Sequence, residues 1–551
     1  MTKKPGMFLL ASLVTLSLCG IAHGQQAAPD LILFNGKMFT SNQARLYVQA
    51  LAIRGDRILA VGDSDKIKGL AGPRTKVIDL GGRTVIPGIN DAHNHLEIGP
   101  SNAMDLQFKN FDPSWEEVKG KIAGAVAMAP KGSFIRGDIG LHVFRDVSVN
   151  RESLDKVAAE RPVILTSITG HAIIANSAAL KAAGFREDQP DPLGGRFERL
   201  PNGRLSGVLR EYARFQMVRN LANITSDDDA VAQLRETLAQ ASKFGITTIQ
   251  DMSNAMPPER CVRLLQQVPA SIRVRIIRMP TTTPSGRDIR EGWPRPAVSN
   301  PLLTVSGTKW MLDGTALEGT FLPRPDSTPL GQRVQHLAMT FPLSELAAML
   351  HESLRKDDQL ILHVSGRPAP EAILQAMEDA GGEKVWARRR VRFEHGDGLV
   401  PELIPVVEKM GIIVVQNPTH LDGKDAVPSF GSQASEAGLQ PLRSLLRAGI
   451  SVAFGSDGPM NPYLNIMFAI THPDNPSEAI TREQAVIAYT ATSAYAEFVE
   501  KEKGSLEPGK LADLAVLSQD IFSVPTAELP KTQSVLTLVG GKTVYDAGVL
   551  R

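Results

Sequence analysis

Two histidines one residue apart, His93 and His95, end the run Pro87-Gly88-Ile89-Asn90-Asp91-Ala92-His93-Asn94-His95, which follows the strand-like residues Thr84-Val85-Ile86. On an extended segment, side chains at i and i+2 share a face, so both imidazoles can reach one metal ion. Alone, the pair reads equally well as two solvated loop histidines. Three more places bring a ligand-type side chain to the end of an apolar run: Ile361-Leu362-His363, Phe393-Glu394-His395 and Phe454-Gly455-Ser456-Asp457. Singly, each could be a core histidine or a helix-capping aspartate. Together the four strand ends point to a metal centre, since imidazole and carboxylate are ligands of divalent cations.

Such residues must be held by strands that end side by side. Eight strand-like runs, at about 84–92, 245–251, 271–278, 303–311, 359–364, 390–394, 411–416 and 450–456, alternate with helix-like segments. This is the pattern of βα units in a parallel sheet, and in a closed parallel barrel the site forms where the strands end. The candidate ligands then fall on strands one, five, six and eight. The long gap after the first strand, residues 97–230, contains the strand-like runs Ser133-Phe134-Ile135 and Pro162-Val163-Ile164-Leu165 and predicts an inserted subdomain. Short β-like runs recur at both chain ends, so residues 25–83 and 502–551 predict one composite β-sandwich, with 84–501 forming the barrel.

Of 551 residues, 60 are Lys or Arg and 59 are Asp or Glu, so no net basic field is available to hold a phosphate backbone, and nucleic acid is not expected as a partner. Residues 1–24 have the form of an export signal: Lys3 and Lys4, an apolar stretch from Met7 to Leu18, then the small residues Ala22 and Gly24. That stretch is too short for a stable membrane span. The expected location is therefore periplasmic or secreted. Cleavage would leave Cys261 as the single cysteine, which excludes an intramolecular disulfide and reads as a helix residue without chemistry.

The chain resembles the metal-dependent amidohydrolase superfamily, and within it the branch called amidohydrolase family 3. The resemblance rests on the turn at 87–95, on His171-Ala172-Ile173-Ile174-Ala175-Asn176-Ser177-Ala178-Ala179-Leu180, on Gly245-Ile246-Thr247-Thr248-Ile249-Gln250-Asp251, and on the closing Gly504-Ser505-Leu506-Glu507-Pro508-Gly509-Lys510. It implies an α/β fold, a distorted (β/α)8 TIM barrel with a β-sandwich made from both chain ends. It also implies one or two divalent ions, zinc by preference, with His93 and His95 on one and His363 and His395 on the second. Asp457 would bind metal and handle protons as the catalytic residue. Many members bridge two metals with a carboxylated lysine on strand four, which here selects Lys309; Glu211 is the rival carboxylate, and a lysine snorkelling from a strand end is the plain alternative. His171, Asn176 and His420 are candidates for substrate contacts, although Asn176 also suits a helix cap.

Two segments depart from that branch. His363-Val364-Ser365-Gly366-Arg367 replaces a usual His-Ala-Ile-Gly-Asp, making Arg367 a candidate for a substrate carboxylate or for an internal acid. Gln416-Asn417-Pro418-Thr419-His420 is one residue longer than the usual Gln-Pro-x-His. The expected activity is hydrolysis of a C–N bond in a small amide or N-acyl compound. A cyclic amide, lactone or ester hydrolase is the alternative, and a non-catalytic metal- or ligand-binding protein a more distant one. A homo-oligomer is compatible with all of these.

Overall fold

A computed structural model describes residues 1, 28–110, 112–269, 272–288, 296, 298–315, 339–424 and 439–550. The export signal expected at 1–24 lies outside them, apart from Met1. Among the described residues no helix is long and apolar enough to cross a membrane.

Eight parallel strands form the central sheet: Ile89–Asn94, Ile246–Ser253, Arg273–Arg278, Leu303–Met311, Leu360–Val364, Arg392–His395, Ile413–Gln416 and Val452–Phe454. Their spatial order follows their sequence order, as expected of successive βα units. Strands eight and one approach without forming a ladder, and the Asp457 amide donates to His93 O at 3.0 Å across the gap. Gly455 permits that approach, since a Cβ there would lie 2.5 Å from the His93 backbone nitrogen. The fold is an α/β barrel, nearly closed.

The first strand corrects an expected boundary. Thr84–Pro87 pairs with Lys37–Phe39 and with Leu514–Leu517, so it belongs to the sheet of the chain ends, and the barrel begins at Ile89. The physical reason is local. Consecutive amides bond to different sheets, Gly88 N to Asp513 O at 2.9 Å and Ile89 N to Gly245 O at 3.0 Å.

The chain ends form two sheets, one of four strands drawn from residues 31–79 and one of six that interleaves Lys37–Phe39, Tyr47–Val48 and Thr84–Pro87 with Leu514–Leu517, Ser534–Val539 and Lys542–Asp546. One shared core, including Leu33, Met38, Leu51, Leu514, Val516 and Leu538, lies between them. Burial of apolar side chains from both termini joins them, at roughly 1.5–3 kcal/mol for each large side chain.

Residues 103–211 carry a separate six-stranded mixed sheet, from Ala103–Asp105 to Leu205–Glu211. Its own core includes Val118 and Ile122 of helix Trp115–Met128, packed with Ile135, Val163 and Ile174. The opposite side contributes Ile164, Ile173 and Leu209 to the barrel core. After Tyr212–Ile224, helix Asp227–Lys243 returns the chain to strand two; Ser226 caps it by accepting from Asp229 N at 3.1 Å, and three aspartates oppose its N-terminal dipole.

Candidate metal-dependent active site

Strand ends one, two, five, six and eight converge on one group of imidazoles. His93 and His95 ring centroids lie 5.4 Å apart, His93 and His395 5.0 Å, and His363 and His395 4.4 Å. Asp457 stands among them. Its Oδ1 is 3.5 Å from His93 Nε2 and 3.4 Å from His95 Nε2, and its Oδ2 is 3.9 Å from His395 Nε2 and 3.6 Å from His420 Nε2.

The other nitrogen of each strand-borne histidine is tied down. Nδ1–H of His93 donates to Glu394 Oε2 at 2.6 Å, that of His95 to Met252 O at 3.0 Å, that of His363 to Asp313 Oδ1 at 2.9 Å, and that of His395 to Asn417 Oδ1 at 2.9 Å. These partners fix the tautomer, leaving four Nε2 lone pairs for a cation. His363 Nε2 is buried and has no hydrogen-bond partner among the described residues, which a structural histidine would rarely tolerate. The donor set fits a divalent metal. Two groups have ligand atoms close enough for one ion, His93 with His95 and Asp457, and His395 with His420 and Asp457.

His420, expected at the substrate, thus lies within the ligand cluster, whereas His363 approaches it through His395. Backbone strain marks two of these positions: His395 and Asp457 adopt φ of +72° and +45°, uncommon for residues with a Cβ. The side chains of His95, Asp457 and His420 are 23%, 17% and 34% exposed while His93 is fully buried, so the opening runs past His95, Asp457 and His420.

Lys309 and Glu211 are now separable. Lys309 ends inside the cluster, its Nζ 3.1 Å from His93 Nε2, and burial pushes its pKa down to about 8. Glu211 instead receives His171 Nδ1–H at 2.9 and 3.0 Å. That pair borders the site through the His171 ring, 4.8 Å from the His363 ring. Glu211 holds φ +49° and ψ −124°, a third strained residue beside the centre.

The substrate expectation for Asn176 does not survive its surroundings. Its Oδ1 accepts from Ala179 N and Val163 N at 2.9 and 3.0 Å, and its Nδ2 donates to Ala158 O and Arg161 O at 2.7 Å each. One of these bonds caps helix Ser177–Ala182 and the other three tie the amide to residues 158–163, so no donor or acceptor remains for a ligand. Arg367 is exposed where helix Pro368–Asp379 begins. The internal acid considered for it is not found among the described residues. Cys261 lies in helix Pro258–Leu265, as expected, and is fully buried where a half-buried position was expected.

Sequence reasoning missed the groups behind the ligands. Below the site, Arg392 donates to both Glu394 oxygens at 2.7 and 3.0 Å, to Gln250 Oε1 at 2.6 Å and to Ala92 O at 2.7 Å. Burial alone would raise Glu394, but Arg392 and His93 outweigh it and hold its pKa at about 2. Arg275 reaches the same Gln250 oxygen at 3.2 Å, so one layer of the barrel interior is polar where branched apolar side chains are usual. Asp91 is a further member, accepting from Ser456 N at 2.8 Å and from the Ser456 hydroxyl, which clamps the Asp457 turn to strand one. A polar residue at strand spacing next to a ligand, as Glu394 is to His395, was the available signal.

The model of the amidohydrolase family matches residues 76–545. The chain belongs to the amidohydrolase family. This amidohydrolase is 30% identical over 546 residues to Protein LONG AFTER FAR-RED 3 of Arabidopsis thaliana, covering 94% of this chain and 91% of that one. It is 28% identical to the N-substituted formamide deformylase of Arthrobacter pascens, covering 94% and 98%. An uncharacterized metal-dependent hydrolase from Pyrococcus furiosus has the same fold, with a TM-score of 0.64 at 20% identity, covering 90% of this chain and all of that one. Atrazine chlorohydrolase of Arthrobacter aurescens, solved with zinc and atraton, superposes at 0.52 with 16% identity, covering 94% and 95%. The amidohydrolase is an enzyme, a metal-dependent hydrolase of C–N bonds acting on small molecules.

Proposed function

We propose that this amidohydrolase is an exported enzyme that cleaves the C–N bond of an N-acyl or N-formyl amine, with zinc held by His93, His95, His363, His395 and Asp457. The convergence of the His93, His95, His395 and His420 Nε2 atoms on the Asp457 carboxylate, with the His363 ring 4.4 Å from that of His395, carries the reading. The N-substituted formamide deformylase supports the substrate class, the zinc in the atrazine chlorohydrolase structure supports the metal, and the composition of residues 1–24 supports export.

When bound, the cation lowers the pKa of water to about 7 and polarises a carbonyl. The chain supplies the rest. Burial would raise the Asp457 carboxyl, but His93, His95 and His395 hold it well below its ordinary value. Asp457 is therefore ionised and can take a proton from the attacking water at its carboxylate, then return it to the departing nitrogen. Glu394, Asp313, Asn417 and the Met252 carbonyl keep the four rings in register, so little reorganisation is needed during reaction. Once its ammonium form has given up a proton, the Lys309 amine is placed to add to CO2 with loss of a second proton, and the resulting carbamate would put an anion where a cation stood.

The test is a panel of N-formyl and N-acetyl amines, cyclic amides and lactones, run with metal analysis of the same preparation. Release of amine from the acyclic members, lost on chelation and restored by zinc, is expected. Turnover confined to lactones, or full turnover in metal-free protein, would defeat the reading.

A further inference from the structure

One corner of the opening holds acceptors in excess of donors. Glu97 follows His95 by two residues, with its side chain 41% exposed. Its Oε1 accepts from Asn254 Nδ2 at 2.9 Å and from Arg214 Nη2 at 3.3 Å. Asn254 and Arg214 are 3% and 6% exposed, so the carboxylate is gripped by buried groups from the end of strand two and from helix Tyr212–Ile224. Among the described residues Glu97 Oε2 takes no hydrogen bond. Asn254 Oδ1, on the amide that grips Glu97, is buried without a partner, as is Arg214 Nε. Two unfilled acceptors, one of them charged, thus stand together against one unfilled donor. Asp138, exposed on strand Phe134–Ile139 of the inserted sheet, adds a second carboxylate; burial and then the Glu97 charge raise its pKa. With Asp105, which pairs with Arg136 at 2.9 Å, three carboxylates stand here with two guanidinium groups, Arg136 and Arg214.

We propose that Glu97, Asn254 and Asp138 form a subsite for a positively charged, donor-rich substituent of the substrate, a primary ammonium group, carried on the amine side of the bond cleaved. The subsite rests on the C–N hydrolase reading above and deepens it. Glu97 Oε2 and Asn254 Oδ1 would accept two ammonium protons, and Asp138 would add counter-charge. An anionic substituent would meet both carboxylates and be rejected. Selectivity for charge would then come from the inserted sheet and the first strand end, not from Arg367.

Three formamides decide the matter, each with a five-carbon chain ending in ammonium, methyl or carboxylate. In the wild-type enzyme kcat/KM is expected to be highest for the ammonium compound, by about tenfold over the methyl one, and lowest for the carboxylate. Glu97→Gln should lower the ammonium-to-methyl ratio by about tenfold, and Asp138→Asn should lower it less. A ratio near one in the wild-type enzyme, or one that neither variant moves, overturns the subsite. If the wild-type enzyme cleaves none of the three, the C–N reading fails for this class. Calorimetric binding of pentylammonium against pentanol to the same three zinc-loaded proteins then decides the subsite alone: preference for the cation, lost in Glu97→Gln, supports it, and equal binding overturns it.

Discussion

Glu394 holds His93 by a 2.6 Å hydrogen bond to Nδ1, while Nε2 of the same ring faces Lys309 Nζ at 3.1 Å and Asp457 Oδ1 at 3.5 Å. A buried carboxylate fixed by Arg392 therefore sets the direction in which His93 offers its lone pair. Glu394→Gln keeps the shape and removes the charge. Metal affinity is expected to fall by about 10- to 100-fold, measured by competition with a chelating dye. Unchanged affinity would show that packing alone orients the ring.

Asp457→Asn should leave the fold intact and reduce kcat by at least about 100-fold, since the amide cannot take the water proton. Circular dichroism and kcat on one metal-loaded preparation check both halves. A variant that is folded, loaded and fully active would exclude Asp457 as the base.

Lys309 is expected to carry an added CO2, a mass increase of about 44 Da in native mass spectrometry, lost on acidification. Lys309→Ala should bind less metal per chain and recover part of it with added short-chain carboxylate. An unmodified lysine in metal-loaded, active protein would remove Lys309 as a bridge.

Metal removal should lower thermal stability. A ligand that binds only the folded state stabilises it by about 2.7 kcal/mol at 100 times its dissociation constant. Scanning calorimetry with and without chelator is expected to show a concentration-dependent shift in Tm.

Asp251 gives the pH dependence. Burial raises its carboxyl pKa to about 6, outweighing the hydrogen bond from Leu96 N at 2.8 Å. The folded chain therefore binds more protons than the unfolded one between about pH 4 and 6, so stability from this group falls as pH rises through that window. The size is about 3 kcal/mol. Asp251→Asn, which keeps the acceptor, should gain stability relative to the parent from pH 4 to 7, measured by urea unfolding. Parallel curves would mean that Asp251 stays ionised throughout.

The sequence was most informative where chemistry and period coincide. Each of the eight strand-like runs overlaps a barrel strand, and the first run is divided because Pro87-Gly88 carries the chain from one sheet into the other. His93, His95, His395 and Asp457 converge as their strand-end positions imply, with His363 beside them, because strands of one parallel sheet end on one side. Asn176 could not be resolved in advance, since an asparagine before a helix has the same local sequence whether it caps or binds.

The sequence by itself picked out His93, His95, His395 and Asp457 and their meeting at one end of a barrel, because strand period and residue type are local properties, but it left His420 outside the ligand cluster. Only the tertiary structure decided what stands behind them. The partners of His93, His395, His363 and His95 lie 301, 22, 50 and 157 residues away in the chain. Strand register and loop packing place these partners, and neither is written in hydrophobic period. The choice of Lys309 over Glu211 beside His93, and the pairing of Glu97 with Asn254 and Arg214, follow from the same cause: each depends on how distant strand ends and the inserted sheet close around a shared opening.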